Sequence, residues 1–313
     1  MDTLLSGIFW VGLLAATVRL STPILFASLG EILAERAGVL NIGLEGMMLM
    51  GALGGFLGSR ATGNPWVGVL AGMVAGATLA WAFAYLTVTL AVDQVVCGIT
   101  VNLLALGLTS FAFRVIYGVR SLIPSATPLT EWPVPGLAAV PALGPILFRQ
   151  NPLVYLGLLS VAACWFLLYR TTWGLKIRAV GEYPRGADSV GVDVFRVRHL
   201  ALLGCGALAG VGGAFLSLGH LNIFVEHMTS GRGFIALAVV IFGKWHPVGA
   251  LGASLLFGAA EALQLRLQAL GFQIPFQFLV MLPYVLTVVA LAGVVGRTVQ
   301  PAALTLPYLK DSR

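Results

Sequence analysis

Apolar runs follow one another along almost the whole chain, separated by short polar joints. A helix needs about 20 apolar residues to cross the hydrocarbon of a bilayer, fewer where it is broken or re-entrant. On that ruler the pattern predicts segments near 3–18, 21–34, 43–59, 66–90, 93–117, 152–169, 199–219, 232–243, 247–267 and 274–294. Three of them, 3–18, 21–34 and 232–243, are short. Short segments interrupted by Gly and flanked by Pro or Asn read as discontinuous helices, whose freed backbone groups are tolerated in a membrane only beside protein or an aqueous cavity. They point toward a pathway. The fold expected is all-α: a polytopic helical membrane protein with about 8–10 transmembrane segments, some short or discontinuous, in a single transmembrane domain over residues 1–313.

Two polar connections are long. The stretch 170–198 carries Arg170, Lys176, Arg178, Arg185, Arg196 and Arg198, whereas 119–151 is rich in proline and holds only Arg120 and Arg149. Cytoplasmic loops carry the excess of Lys and Arg, so 170–198 is expected inside and 119–151 outside. Parity through ten crossings then places both termini inside. Within the inner loop, Pro184 at a first helical position and Gly191 just past the end frame one short helix near 184–190. Two turns do not hold themselves together in water, and the mixed charges Arg185, Asp188, Asp193 and Arg196 favour a protein partner over a lipid surface.

Composition supports the membrane reading. Of 313 residues 58% are hydrophobic, 39 are glycine, and Lys+Arg and Asp+Glu number only 18 and 12, where a soluble chain of this length carries roughly 78 charged residues. The net charge of +6 reports topology before it reports any nucleic acid. Cys97, Cys164 and Cys205 lie in apolar stretches without Cys-x-x-Cys spacing, and the four histidines lack ligand spacing, so no metal site is expected. The start Met1-Asp2-Thr3 has no basic residue before the apolar run, which favours a retained span over a cleaved signal.

Polar residues inside apolar segments are the candidate functional groups. Asn41 and Glu45 stand four apart, on one helical face, among glycines; the pair either lines a pathway or, for Glu45, pairs with Arg36 or caps a broken helix. Asn102 makes either an interhelical bond or a solute contact. Met48, with Met47 and Met50, offers either an adaptable apolar wall or core packing. Arg232 is expected to pair with Glu226, Glu261 to bond Gln264, and the stripe Gly51, Gly54, Gly55 and Gly58 either to meet a second subunit or to serve packing within the chain.

One stretch is too specific to be composition: Glu35-Arg36-Ala37-Gly38-Val39-Leu40-Asn41-Ile42-Gly43-Leu44-Glu45-Gly46-Met47-Met48. With Asp93-Gln94-Val95-Val96, Trp173-Gly174-Leu175, Arg178-Ala179-Val180-Gly181-Glu182 and Ser230-Gly231-Arg232-Gly233-Phe234, it resembles the permease subunits of ABC importers in the branched-chain amino acid and simple-sugar branch, most closely the nucleoside subgroup. The resemblance implies a multi-pass permease of a prokaryotic cell membrane that moves a nucleoside inward by alternating access. It also implies cytoplasmic ABC ATPase subunits as partners, a second permease that is a related but different chain, and an extracytoplasmic substrate-binding protein. The family's coupling helix falls on 184–190, with Arg178, Gly181, Glu182, Pro184, Arg185, Asp188 and Gly191 as its candidate residues. No Gly-x-x-x-x-Gly-Lys-[Ser/Thr] loop occurs, so ATP hydrolysis by that route belongs to a partner, and this chain is expected to bind no cofactor. A simple sugar such as ribose is the alternative solute. An ion-coupled secondary transporter is a further alternative; it would call for more mid-membrane carboxylates than Glu45 and Glu261.

Overall fold

In the computed structural model the described residues are 7–118, 124–269, 281, 285 and 299–309. The order of long elements is α1 (Gly7–Arg36), α2 (Leu44–Thr62), α3 (Pro65–Ala84), α4 (Gln94–Tyr117), α5 (Pro152–Arg170), α6 (Thr172–Glu182), α7 (Pro184–Ser189), α8 (Val194–Phe215), α9 (Arg232–Phe242) and α10 (Pro247–Ala269). α3 and α8 each run on into a π turn, Tyr85–Thr89 and Leu216–His220. Six helices among the described residues are long and apolar enough to cross a membrane: α1, α3, α4, α5, α8 and α10. The expected segment 274–294 lies outside the described residues, apart from positions 281 and 285.

The caps follow from sequence. Asn64, Asp93, Asn151 and Asp193 each turn a side-chain oxygen onto a backbone N–H of the first turn of α3, α4, α5 and α8, replacing donors that a helix start leaves unpaired. Pro65 and Pro152 open α3 and α5, where no N–H is needed. The 124–151 connection holds only short elements: a 3-10 turn at Leu137–Ala139, a π turn at Gly144–Phe148, and a two-stranded pair, Trp132 against Gln150 and Pro133 against Arg149, that closes it.

The two short segments expected at 3–18 and 21–34 are one helix. α1 runs 30 residues through Pro23, about 45 Å. The polar residues that suggest a break are absorbed by the helix itself: Ser21 and Thr22 both turn their hydroxyls back to the Val18 carbonyl. Its first half faces the 124–151 connection, where Arg19 meets Glu131 and the Ala15 carbonyl accepts from Gln150. Its end meets Trp245 and Gly181 on the face of the 170–198 loop. α1 therefore traverses the bundle once, and the parity drawn from two short crossings does not hold.

α2, α3 and α8 pack with backbones nearly touching. An added Cβ at Gly213 would strike the Met48 carbonyl, one at Gly51 the backbone of Gly210, and one at Gly76 the backbone of Gly206. Gly54 and Gly58 abut Ala75 and Ala71 of α3, and Gly55 abuts Ala214 of α8. Of the two partners open to the glycine stripe, the structure gives the one within the chain, as small residues permit close helix approach.

Candidate functional site

Two helices begin inside the bundle instead of at its edge. After α1 the chain turns at Ala37-Gly38, with Gly38 at φ +86°, and runs back along α1, so that the Asn41 N–H donates to Glu31 Oε1 at 2.8 Å; α2 starts there. After the π turn of α8 the segment 221–231 carries four residues with positive φ, Asn222, His227, Ser230 and Gly231, and delivers the start of α9. At 11 residues, α9 is only about 16 Å long. Arg114, near the C-terminal end of α4, grips Glu226 of this segment through two hydrogen bonds of 2.7 and 2.8 Å. The bonds and charge of Arg114 hold the Glu226 carboxyl below the usual range.

The two helix starts face each other through side chains. Glu45, in the first turn of α2, accepts the Gly231 N–H on Oε1 at 2.8 Å and the Gly233 N–H on Oε2 at 2.6 Å, which caps α9. Asn102, from the middle of α4, accepts the Gly46 N–H on Oδ1 at 2.7 Å and donates from Nδ2 to the Ile42 carbonyl at 2.9 Å. Added Cβ atoms at Gly233 and Gly46 would fall 2.5 Å and 3.0 Å from Glu45 Cα and Asn102 Oδ1, so the glycines are what allow these elements to meet. Arg232 points away: its guanidinium pairs with Glu261 of α10 and donates to the carbonyls of Met228 and Thr229. The expected pairing of Arg232 with Glu226 is replaced by Arg232 with Glu261 and Arg114 with Glu226, contacts between elements distant in sequence.

Around this junction lies a cavity of about 340 Å³, within the size range of small-molecule sites. Leu49, Ile99, Leu103, Leu106 and Phe234 form its apolar wall, and Glu45, Asn102, His227, Thr229 and Ser230 supply polar atoms. Of the residues singled out in the sequence, Glu45 and Asn102 are brought together here. Asn41 and Met48 are fully buried elsewhere in the bundle; Asn41 turns its amide toward Met47 and Cys205. Phe234, Ser230, Thr229 and His227 are cavity residues that polarity and apolar length do not single out, although the Ser230–Phe234 motif holds the first two.

A second polar cluster was not foreseen. Glu31 and Glu35, one turn apart on α1, are buried. Glu31 accepts from Asn41 and from the Cys205 thiol, and Glu35 from the Trp245 indole. Their spacing was visible in sequence, but their partners lie up to 210 positions away.

The 170–198 loop contains two helices where one was expected. α6 starts at Thr171, whose hydroxyl accepts the Gly174 N–H at 3.1 Å, and α7 spans Pro184 to Ser189 with Gly191 beyond it at φ +85°. Gly181 packs on the Arg36 carbonyl, the Arg178 guanidinium lies over the Tyr169 ring, and Glu182 accepts the Ala302 N–H at 3.3 Å. Arg185, Asp188 and Gly191 stand on α7 and its exit turn.

Residues 13–294 match the family described as branched-chain amino acid transport system / permease component. The chain is 39% identical over 309 residues to the guanosine ABC transporter permease protein NupQ of Bacillus subtilis, covering 95% of this chain and 96% of that one. It is 46% identical over 267 residues to a Haloferax volcanii protein named provisionally as a glucose ABC transporter permease, covering 84% and 80%. It is 37% identical over 300 residues to the nucleoside ABC transporter permease protein NupC of Lactococcus lactis, covering 93% and 94%. No solved structure gives a significant match. With this coverage and a bundle of membrane-length apolar helices around two internal helix starts, the chain belongs to the branched-chain amino acid transport system permease family, as a multi-pass transport subunit of the cell membrane.

Proposed function

We propose that this chain is the translocation subunit of an ATP-driven importer for nucleosides, and that the solute passes the cavity between α2, α4 and α9. The cavity carries the reading. Phe234 and the aliphatic side chains of α4 suit the flat face of a base, while the carbonyl- and hydroxyl-rich loop 227–231 suits ribose hydroxyls. Two relatives matched over more than nine-tenths of this chain are named for guanosine and for nucleosides, which supports the same solute class here.

ATP is hydrolysed by partner subunits on the cytoplasmic side, received by α6 and α7, with Arg178, Gly181, Glu182, Pro184, Arg185, Asp188 and Gly191 forming or supporting the docking surface. Tyr183 and Val190, 66% and 78% exposed, are its apolar contacts. A second permease completes the pathway: this chain is 39% identical to one guanosine permease of Bacillus subtilis, NupQ, and 26% to another, NupP, a pattern that favours two different chains per transporter. An extracytoplasmic binding protein delivers the solute to the 124–151 side. A simple sugar is the second reading, favoured by the 46% identity to the provisional glucose permease.

The test is uptake of labelled guanosine, uridine and ribose by cells with and without the gene. Loss of nucleoside uptake on deletion supports the proposal. Loss of ribose uptake alone keeps the importer and transfers it to sugars. If deletion leaves all three unchanged, the substrate assignment falls.

A further inference from the structure

A helix start carries roughly half a positive charge and unpaired N–H donors, which makes it a ready anion site. Here two such starts converge on one cavity, and at each the chain supplies an acceptor of its own. Glu45 takes the N–H groups of Gly231 and Gly233, the Arg232 N–H goes to the Thr229 carbonyl at 3.0 Å, and Asn102 takes the Gly46 N–H. Of the cations on the elements that meet here, Arg232 pairs with Glu261 and Arg114 with Glu226. One carboxylate against two half-charges leaves the wall close to electrically neutral, with His227 its remaining titratable side chain.

We propose that Glu45 sets the charge selectivity of the pathway: its carboxylate, held across the start of α9, makes the cavity accept uncharged solutes such as free nucleosides and turn away anions such as nucleoside monophosphates. An anion entering this wall would shed water beside the Glu45 carboxylate, at a helix start whose Gly231, Arg232 and Gly233 N–H groups are already taken. A neutral base and ribose meet no such penalty. The inference rests on the nucleoside reading above and names the residue that confines it to the unphosphorylated form.

The experiment measures the local potential directly, so that the selectivity of a binding protein does not enter. Leu103 lines the cavity, is 64% exposed, and takes no part in either cap, whereas the native cysteines are buried. In membrane fragments open on both faces, carrying the assembled transporter, a Leu103→Cys protein is labelled with anionic and with cationic methanethiosulfonates, with the unsubstituted chain as background. Adding Glu45→Gln should raise the anionic-to-cationic rate ratio about five- to tenfold, the effect of removing one charge from the same wall of a partly wet cavity. Asn102→Asp, which adds a negative charge at the other helix start, should move the ratio the opposite way and serves if Glu45→Gln fails to fold. Guanosine should protect the cysteine in the parent, and guanosine monophosphate should protect only with Glu45→Gln. A ratio unmoved by either substitution, with guanosine still protecting, overturns the charge filter and leaves the nucleoside reading standing. Absence of labelling, or labelling that guanosine does not slow, overturns both.

Discussion

Asn102 shows how one side chain holds a re-entrant backbone. Its amide is both acceptor and donor, and at α4 it receives Gly46 N–H and gives to Ile42 C=O, two groups at a helix start inside the bundle. Asn102→Leu removes both partners at once, and unsatisfied buried backbone groups cost about 1–3 kcal/mol each. We expect a lower unfolding temperature and less folded protein in membranes, read by thermal denaturation followed by size-exclusion chromatography. Unchanged melting would mean that water replaces the amide. The sequence exposed Asn102 as a polar residue in an apolar helix and left an interhelical bond and a solute contact open; the geometry gives the bond and sets the residue on the cavity wall. The pairing of Arg232 was not legible in the same way, because charge matching by proximity favours Glu226, whereas α10 brings Glu261 within reach from 29 positions away.

At the scale of elements, apolar length made the spanning helices α3, α4, α5, α8 and α10 readable, and Pro184 with Gly191 framed α7. It failed at α1, where Arg19, Ser21 and Pro23 resemble a break. In the folded helix Arg19 reaches the 124–151 connection and the hydroxyls bond their own backbone, so polarity there marks no end. The glycines of α2 leave their partner open in sequence: spacing tells that a helix is approached closely, not by what. Their role inside the chain gives a paired prediction. Gly213→Ala would push a methyl into the Met48 carbonyl, whereas Gly107 of α4 has nothing within 4 Å. Gly213→Ala should sharply lower folded yield, and Gly107→Ala should leave it unchanged or raise stability by up to about 1 kcal/mol, compared side by side by fluorescence-detected chromatography. Equal yields would show that α2 and α8 can separate to admit a methyl.

For the whole molecule, residues 299–309 tie several parts together. Ala303 donates to the Gly181 carbonyl at 2.9 Å, Ala302 to Glu182 at 3.3 Å, the Leu306 carbonyl accepts from Arg198 at 3.1 Å, and Tyr308 stacks edge-on against Phe195 with centroids 5.5 Å apart. The same Arg198 binds the Ala37 carbonyl at the end of α1. The tail thus fastens α6 and α8 to the turn that leads into α2, a connection between the proposed ATPase-docking helices and the proposed solute site. Deleting residues 299–313 should reduce ATP-driven uptake several-fold while ATP hydrolysis by the assembled transporter persists, measured on the same preparation. Parallel loss of both activities would assign the tail to assembly instead.

The backbone contacts among α2, α3 and α8 have a mechanical consequence. Where two helices touch through long side chains, rotamer changes let them slide; where main chain lies on main chain, there is little to rearrange between them. These three helices therefore act as one stiff block, with Glu45 riding on it. The compliance lies at its edges, in the turn 37–43 and the segment 221–231, whose positive-φ residues serve as pivots. If the solute takes the proposed path, opening it would be a tilt of α9 against this block, and the Glu45 cap on α9 would be the latch that such a tilt has to stretch.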